Sequence, residues 1–237
     1  MGKNLIQQRR GRGTATFRAP SFRYKGKAKF NKISEDVLKG RIKDIIKCQG
    51  HSAPLLKIKF ENGEEVLMIA PEGVRVGESI RSGPEAKIKR GYILPLKNIP
   101  EGTPVFNIEL NPGDGGKFVK ASGNTAKIVG KTSAGVSIKL PSNKQKIFNP
   151  ECRACIGIIA GSGRTEKPLL KAGNRYYAKK AKNKLYPKVQ GTSMNAVAHP
   201  FGSKSSHVKG RPTQASRNAP PGRKVGSIAP KRTGHKR

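Results

Sequence analysis

An all-β fold with long, basic, irregular extensions at both ends is predicted by three observations. From about Ile33 to Ala160, apolar and polar residues alternate in short runs of period two. Gly (28) and Pro (17) are abundant and dispersed, which works against long helices. After Glu166 no Asp or Glu occurs in 71 residues that hold eighteen Lys and Arg; the first 34 residues hold ten basic residues and no acid.

The amino-terminal segment shows no sustained period. It interleaves cations with aromatics, from Arg9-Arg10-Gly11-Arg12 through Phe17-Arg18 to Phe22-Arg23-Tyr24-Lys25. An aromatic face can stack on an exposed base while guanidinium groups meet phosphates, although an ordinary disordered basic arm has the same composition. In the centre, Leu56, Ile58 and Phe60 alternate with Lys57 and Lys59, Asn62-Gly63 interrupts, and Val66 to Ile69 follows. Asn-Gly between two such runs predicts a two-residue hairpin turn with positive φ at both positions. Phe106, Ile108 and Leu110 alternate with Asn107 and Glu109. Val136, Ile138 and Leu140 alternate with Ser137 and Lys139 before a Pro141-Ser142-Asn143 turn, and Ala154 to Ala160 reads as a buried strand. Short strands at this spacing predict small antiparallel barrels. One barrel needs about 60–80 residues, so the centre divides into two, with a seam around Gly91 to Gly102. Beyond Lys167 alternation stops. Lys179, Lys180, Lys182 and Lys184 line a short predicted helix that Pro187 ends, and coil follows to Arg237.

The expected domains are therefore residues 1–34, a basic extension; 35–90 and 91–170, the two barrels; and 171–237, a second basic extension. The two tails hold 28 of the formal net charge of +35, leaving +7 for Glu35 to Glu166. Hydrophobic residues are 34%, enough for a modest core in the middle and little in the tails. Tails without counter-charge repel themselves unless a polyanion neutralises them, which points to nucleic acid. Their basic residues are the candidate contacts: Arg9, Arg10, Arg12, Arg18 and Arg23, then Lys179, Lys180, Lys182, Arg211, Arg217, Arg223, Lys224 and Arg232.

Other chemistry finds little support. No apolar run approaches the roughly 18 residues that span a bilayer, none near the start resembles a signal peptide, and the tails lack an insertable apolar stripe. Met1-Gly2 invites a myristoylation reading, but Ile6 stands where that motif wants Ser or Thr. Cys152-Arg153-Ala154-Cys155 has zinc-knuckle spacing without a second pair. Completing a tetrahedral site would need Cys48 with His51, or a distant His207, so a buried strand explains Cys152 and Cys155 better. Gly113-Asp114-Gly115-Gly116-Lys117 and Gly161-Ser162-Gly163-Arg164 lack P-loop spacing and read as turns. The acids are too scattered for a carboxylate pair, and the four histidines (His51, His199, His207, His235) form no Ser-His-Asp set. No cofactor and no metal are expected.

The densest signal is the run from Lys188 to Gly202, where Gly191, Met194, Asn195, His199, Pro200 and Gly202 share one short loop. Small residues there let the backbone approach folded RNA, and His199 is able to donate or accept a hydrogen bond or to carry a proton. This loop resembles the signature of the universal L-two family of large-subunit ribosomal proteins. So do Gly2-Lys3 through Arg9, Glu72 to Gly77, Ile99 to Thr103, Gly113 to Lys117, Lys167 to Gly173 and Asn218 to Gly226, in order across nearly the whole chain. The arm and the short central loops resemble the archaeal branch, with the eukaryotic cytosolic branch second.

The resemblance implies an OB-like barrel followed by an SH3-like barrel, with extensions threading into large-subunit rRNA in a cytoplasmic ribosome. It implies a place near the peptidyl-transferase region, contact with small-subunit rRNA at an intersubunit bridge, neighbouring ribosomal proteins as partners, and indirect support of tRNA. His199 corresponds to the loop histidine once proposed to assist peptide-bond formation; the family is regarded as supporting an RNA catalyst, so no enzyme is expected. Departures are Gln190 for the usual Arg, Thr192-Ser193 for an apolar-Ala pair, Ala198 for an acid before the His, and Gly202-Ser203-Lys204-Ser205 for a glycine-rich run. An architectural DNA-binding protein is the main rival, and a zinc enzyme built on Cys152 and Cys155 the third.

Overall fold

The computed structural model describes residues 4–34, 36–203 and 213–231. The chain divides into two compact units, one of residues 21–170 and one of residues 1–20 with 171–237.

The first unit is all-β. Its strands are β1 (Leu38–Ile46), β2 (Leu55–Phe60), β3 (Glu65–Ile69), β4 (Ser79–Ser82), β5 (Ile93–Pro95), β6 (Pro104–Phe106), β7 (Ala126–Thr132), β8 (Gly135–Lys139), β9 (Gln145–Phe148) and β10 (Arg153–Ile156). They form one hydrogen-bonded sheet in the order β3-β2-β1-β4-β5-β10-β6-β7-β8-β9. Local antiparallel hairpins build the two flanks, and β10 joins them by pairing with both β5 and β6. The alternating residues meet as the period requires: Ile42 and Ile58 face each other across β1 and β2, and Ile128 and Ile138 across β7 and β8, all fully buried. Leu55, Leu56, Met68, Ile93, Leu94, Val105 and Phe106 belong to the same core. Residues 21–34 run along this unit; Lys29 N–H donates to Leu67 O at 2.9 Å, and Ala28 and Phe30 are buried.

The Asn62-Gly63 hairpin forms, but with a different turn. Only Gly63 has positive φ (+83°), Gly63 N–H donates to Phe60 O, and Phe60 N–H donates to Glu64 O. This longer loop is a turn followed by one left-handed residue, a geometry that accommodates the strand twist with a single positive φ, which Gly63 adopts without steric cost. Asn62 Oδ1 accepts from Glu64 N–H at 3.0 Å, so its side chain braces the turn. The β8–β9 connection repeats the pattern, with Asn143 (φ +62°) in the left-handed position.

Three expectations are corrected. Strand β6 stops at Phe106, because Asn107 adopts φ +49°; beyond it only Ile108 bridges Phe118. Leu110 is exposed while Glu109 is fully buried, the reverse of what hydropathy favours. Strand β10 begins at Arg153 and ends at Ile156, short of the span to Ala160, since Gly157 turns away with φ +119°.

The second unit holds α1 (Ile6–Gly11), α2 (Ala172–Lys180) and two short parallel strands, β11 (Gln214–Ala215) and β12 (Ser227–Ile228). Helix α1 was not legible as a period because a single turn and a half cannot display one. Helix α2 lies earlier than the lysines suggest: it starts at Ala172 and ends at Lys180, and Asn183 in the left-handed region (φ +48°) turns the chain before Pro187 is reached. Among the described residues no helix is long and apolar enough to cross a membrane.

Candidate nucleic-acid interface

The second unit contains no carboxylate side chain and 22 Lys and Arg, so no side-chain ion pair can form within it. Three of its cations instead meet aromatic faces. Arg9 lies 6.0 Å from the Phe17 ring, Arg175 5.6 Å from Tyr186 and Lys180 5.7 Å from Tyr176. Asn183 Nδ2 donates to Phe17 O, tying the amino-terminal arm to the turn after α2.

The candidate residues fall into four groups. Arg9 and Arg10 are exposed in the last turn of α1, where cations complement the helix dipole, and Arg12 caps it. Arg18 is exposed, as is Arg23, which belongs to the first unit and stacks over Phe22 at 5.4 Å. Lys179 and Lys180 close α2, and Lys182 sits in the following turn. Arg217 and Lys224 are exposed and Arg223 half-buried around the β11–β12 ribbon. Arg211 and Arg232 lie outside the described residues, as do His207 and His235.

The loop from Gly191 to Gly202 is wound from nested turns. Met194 N–H donates to Gly191 O, Ala198 and His199 N–H both donate to Asn195 O, and Gly202 N–H donates to His199 O at 2.9 Å. Phe201 is buried, and its ring meets His199 edge-on at 5.1 Å. Phe201 N–H donates to His199 Nδ1 at 3.1 Å, so Nδ1 acts as acceptor and the ring proton resides on Nε2. That tautomer offers RNA a donor and leaves no vacant basic nitrogen. The glycines are required by contact: a Cβ on Gly191 would meet the His199 ring, and one on Gly202 would meet the Asn195 and Met194 backbone. Pro200 is half-buried, while Asn195 is exposed. The approach of the Phe201 ring to Gly226, where an added Cβ would meet it, was invisible in the sequence, because it joins distant residues without any period.

In the first unit, the Gly113–Lys117 loop has spent its donors. Asp114 Oδ2 accepts from Leu110 and Asn111 N–H, Asp114 Oδ1 from Gly116 N–H, and Glu109 Oε1 from Gly115 N–H. A loop whose amides already face carboxylates is a poor cradle for phosphate. Gly161 to Arg164 enters a short 3₁₀ turn in which Arg164 Nε donates to Ser122 Oγ at 2.8 Å. Cys152 and Cys155 are both buried, three apart in an extended segment whose alternating side chains face opposite ways. Burial pushes the Cys152 thiol up to about 11, helped by the Glu109 and Asp114 carboxylates, and burial pushes Cys155 well above its ordinary value. Among the described residues no group of three or more His, Cys, Asp or Glu is gathered as for a metal ion.

Comparison with known proteins gives a consistent result. Residues 89–222 match the family described as Ribosomal Proteins L2, C-terminal domain. Over 241 residues the chain is 52% identical to the large ribosomal subunit protein uL2 of Methanothermobacter thermautotrophicus and 53% identical to that of Methanosphaera stadtmanae, covering 100% of both chains in each case. It is 50% identical to uL2 of Haloarcula marismortui over 235 residues, covering 99% of this chain and 98% of the relative.

Proposed function

The chain belongs to the uL2 family of large ribosomal subunit proteins, in its archaeal form, and from that premise we propose that it is a structural, rRNA-binding constituent of the large subunit of cytoplasmic ribosomes. The observation that bears most weight is the carboxylate-free unit of 22 cations, which has no internal means of neutralisation. Phosphates supply that charge, and the release of their counterions drives binding. Exposed Arg and Lys position the chain on the sugar-phosphate backbone, while Phe17, Phe22 and Tyr176 present ring faces to unstacked bases.

The finer reading is that the two flanks of the sheet are the OB-like (35–90) and SH3-like (91–170) modules and that the extensions (1–34 and 171–237) thread into rRNA. The loop of Gly191, Met194, Asn195, His199, Pro200 and Gly202 then lies near the peptidyl-transferase region. Small-subunit rRNA at an intersubunit bridge, neighbouring ribosomal proteins and, indirectly, tRNA are the other partners. His199 supports an RNA catalyst as a hydrogen-bond donor; its Nδ1 is engaged with Phe201 N–H, which leaves it unsuited to general-base work.

The test is the salt dependence of binding to archaeal large-subunit rRNA, in competition with duplex DNA of mixed sequence. If about a third of the 28 excess tail charges meet phosphates, the log–log slope is steeper than about −5. Preference for rRNA is expected. Equal or tighter binding to duplex DNA would favour the architectural DNA-binding rival, and a slope near −2 would make the tails bystanders.

A further inference from the structure

One lysine of the first unit is not placed as a surface lysine is. Lys120 is half-buried, and its Nζ donates to Ala28 O at 3.0 Å and to Gly116 O at 3.1 Å. Both carbonyls are fixed. Ala28 is buried and the next residue, Lys29, donates its N–H to Leu67 O; Gly116 is buried against the Asn107 side chain, with no room for a Cβ. Val119 holds φ +53°, a region that β-branched residues rarely enter, so the fold imposes the path of the chain into Lys120. The amine borders a groove of about 400 Å³ that Lys27, Lys29 and Lys117, all exposed, also line. The single carboxylate-bearing lining residue is Asp114, whose oxygens already accept from Leu110, Asn111 and Gly116 N–H. Tyr24 and His51 are the other titratable side chains of the groove.

We propose that Lys120 is a covalent modification site, acylated on Nζ by acyl phosphates. An ammonium has three N–H donors and a neutral amine two, with a lone pair in the third place. Ala28 O and Gly116 O take two donors, and among the described residues no third acceptor meets Nζ. The neutral amine is thus fully satisfied with its lone pair unengaged. An ordinary lysine is neutral in only about one molecule in a thousand near pH 7.4. Burial first, and then the Lys117 charge, lower the Lys120 pKa against the opposing pull of Asp114, so more of this side chain is nucleophilic. Lys27, Lys29 and Lys117 supply the positive field that draws in a phosphorylated reagent, which the spent loop amides cannot do. The amine nitrogen bonds to the acyl carbon, the carbon–oxygen bond to phosphate breaks, inorganic phosphate leaves with the electron pair, and the amine gives one proton to water. The product amide has one N–H and no charge. One of the two carbonyls then loses its donor, and residues 21–34 are held less firmly to the loop of Gly116. This site stands apart from the rRNA-binding reading and does not depend on it.

The experiment treats the full chain, free of RNA, with limiting acetyl phosphate near neutral pH and follows each lysine by peptide mass spectrometry. Lys120 should react several-fold faster than Lys27, Lys29 or Lys117. That lead should shrink with the uncharged N-hydroxysuccinimide ester of acetic acid, which the lysine field does not attract. With the same uncharged ester, Lys117→Gln should slow Lys120, because removing the neighbouring charge returns the proton to its amine. Proteolysis within residues 21–34 should quicken in the acetylated chain, whereas Lys120→Arg, treated alike, should stay as protected as the parent. Lys120 reacting no faster than its exposed neighbours would overturn the proposal. An equal lead with both reagents would overturn the assignment to acyl phosphates, and a Lys117→Gln chain whose Lys120 reacts as in the parent would overturn the account of its reactivity. Unchanged proteolysis after acetylation would overturn the loosening of residues 21–34.

Discussion

Glu109 Oε1 accepts a hydrogen bond from Arg153 Nη2 at 2.8 Å, with the carboxylate fully buried and the guanidinium side chain 8% exposed. The pair satisfies much more than itself. Glu109 Oε2 also accepts from Arg153 N–H, Glu109 Oε1 accepts from Gly115 N–H, and Arg153 Nη1 donates to Asn31 O at 2.9 Å. Arg153 lies over the Phe30 ring at 5.4 Å. One ion pair therefore fastens β10, the Gly113–Lys117 loop and the segment before β1.

Removing either partner leaves the other charge buried and unpaired. Glu109→Gln and Arg153→Met should each cost about 3–5 kcal/mol, and the double variant clearly less than their sum. Urea denaturation of the four proteins measures this. Single-variant losses under about 1 kcal/mol would mean the pair is dispensable.

Stability should fall in alkali because of Cys152. Its folded-state pKa is raised from 9.0 to about 11, chiefly by burial. The unfolded thiol loses its proton first, so the contribution is complete below the ordinary value and disappears as pH rises through about 11. A two-unit difference is worth about 2–3 kcal/mol. Cys155 acts in the same direction. Lys120 acts oppositely: burial and Lys117 lower its pKa, so its cost is relieved as pH climbs toward its ordinary value. Cys152→Ala should therefore flatten the fall in chemical-denaturation stability between pH 8 and pH 11. A parallel pair of profiles would refute the assignment.

His199 should prove to organise RNA. Fully assembled subunits with His199→Ala or His199→Gln should form peptide bonds within about tenfold of the parent in single-turnover assays, with an unchanged pH profile; a general base would contribute 10²–10⁴-fold. Gly202→Ala should be worse for assembly than His199→Ala, because its Cβ would meet backbone, which cannot move aside as a ring can. A hundredfold loss in intact His199→Ala particles, with a vanished ionisation, would restore a catalytic role.

Limited proteolysis of the free chain should leave a fragment starting near residue 21 and ending near residue 170. Among the described residues outside 21–170 the buried apolar side chains are Phe201 and Ala215, too few to offset the entropy of ordering until phosphates arrive. Equal protection of these ends without RNA would contradict this.

The hairpins and the basic ends were legible because period and charge are local properties. Leu56, Ile58 and Phe60 announce β2 and are buried as it requires. Glu109 was not legible: its burial depends on Arg153, 44 residues away, and on an Asn107 conformation that ends β6 early. The Asn62-Gly63 turn was right in place and wrong in type, because loop length is set by the register of Lys59 with Glu65. That Arg41 stands opposite Lys59 and Lys39 opposite Arg81 needed register too, since spacing along one strand does not reveal what stands across from it.

Strand β10 is the last of the ten to be made and stands between β5 and β6. A chain emerging from its amino terminus therefore completes β1 to β4 early, then exposes β5 and β6 with open edges. At about 5–20 residues/s, the wait from the end of β6 to the arrival of β10 lasts on the order of 2–10 s. Open edges are sites of wrong pairing. The vulnerable moment in the life of this chain is this interval of synthesis, and it closes when Arg153 to Ile156 leave the exit tunnel.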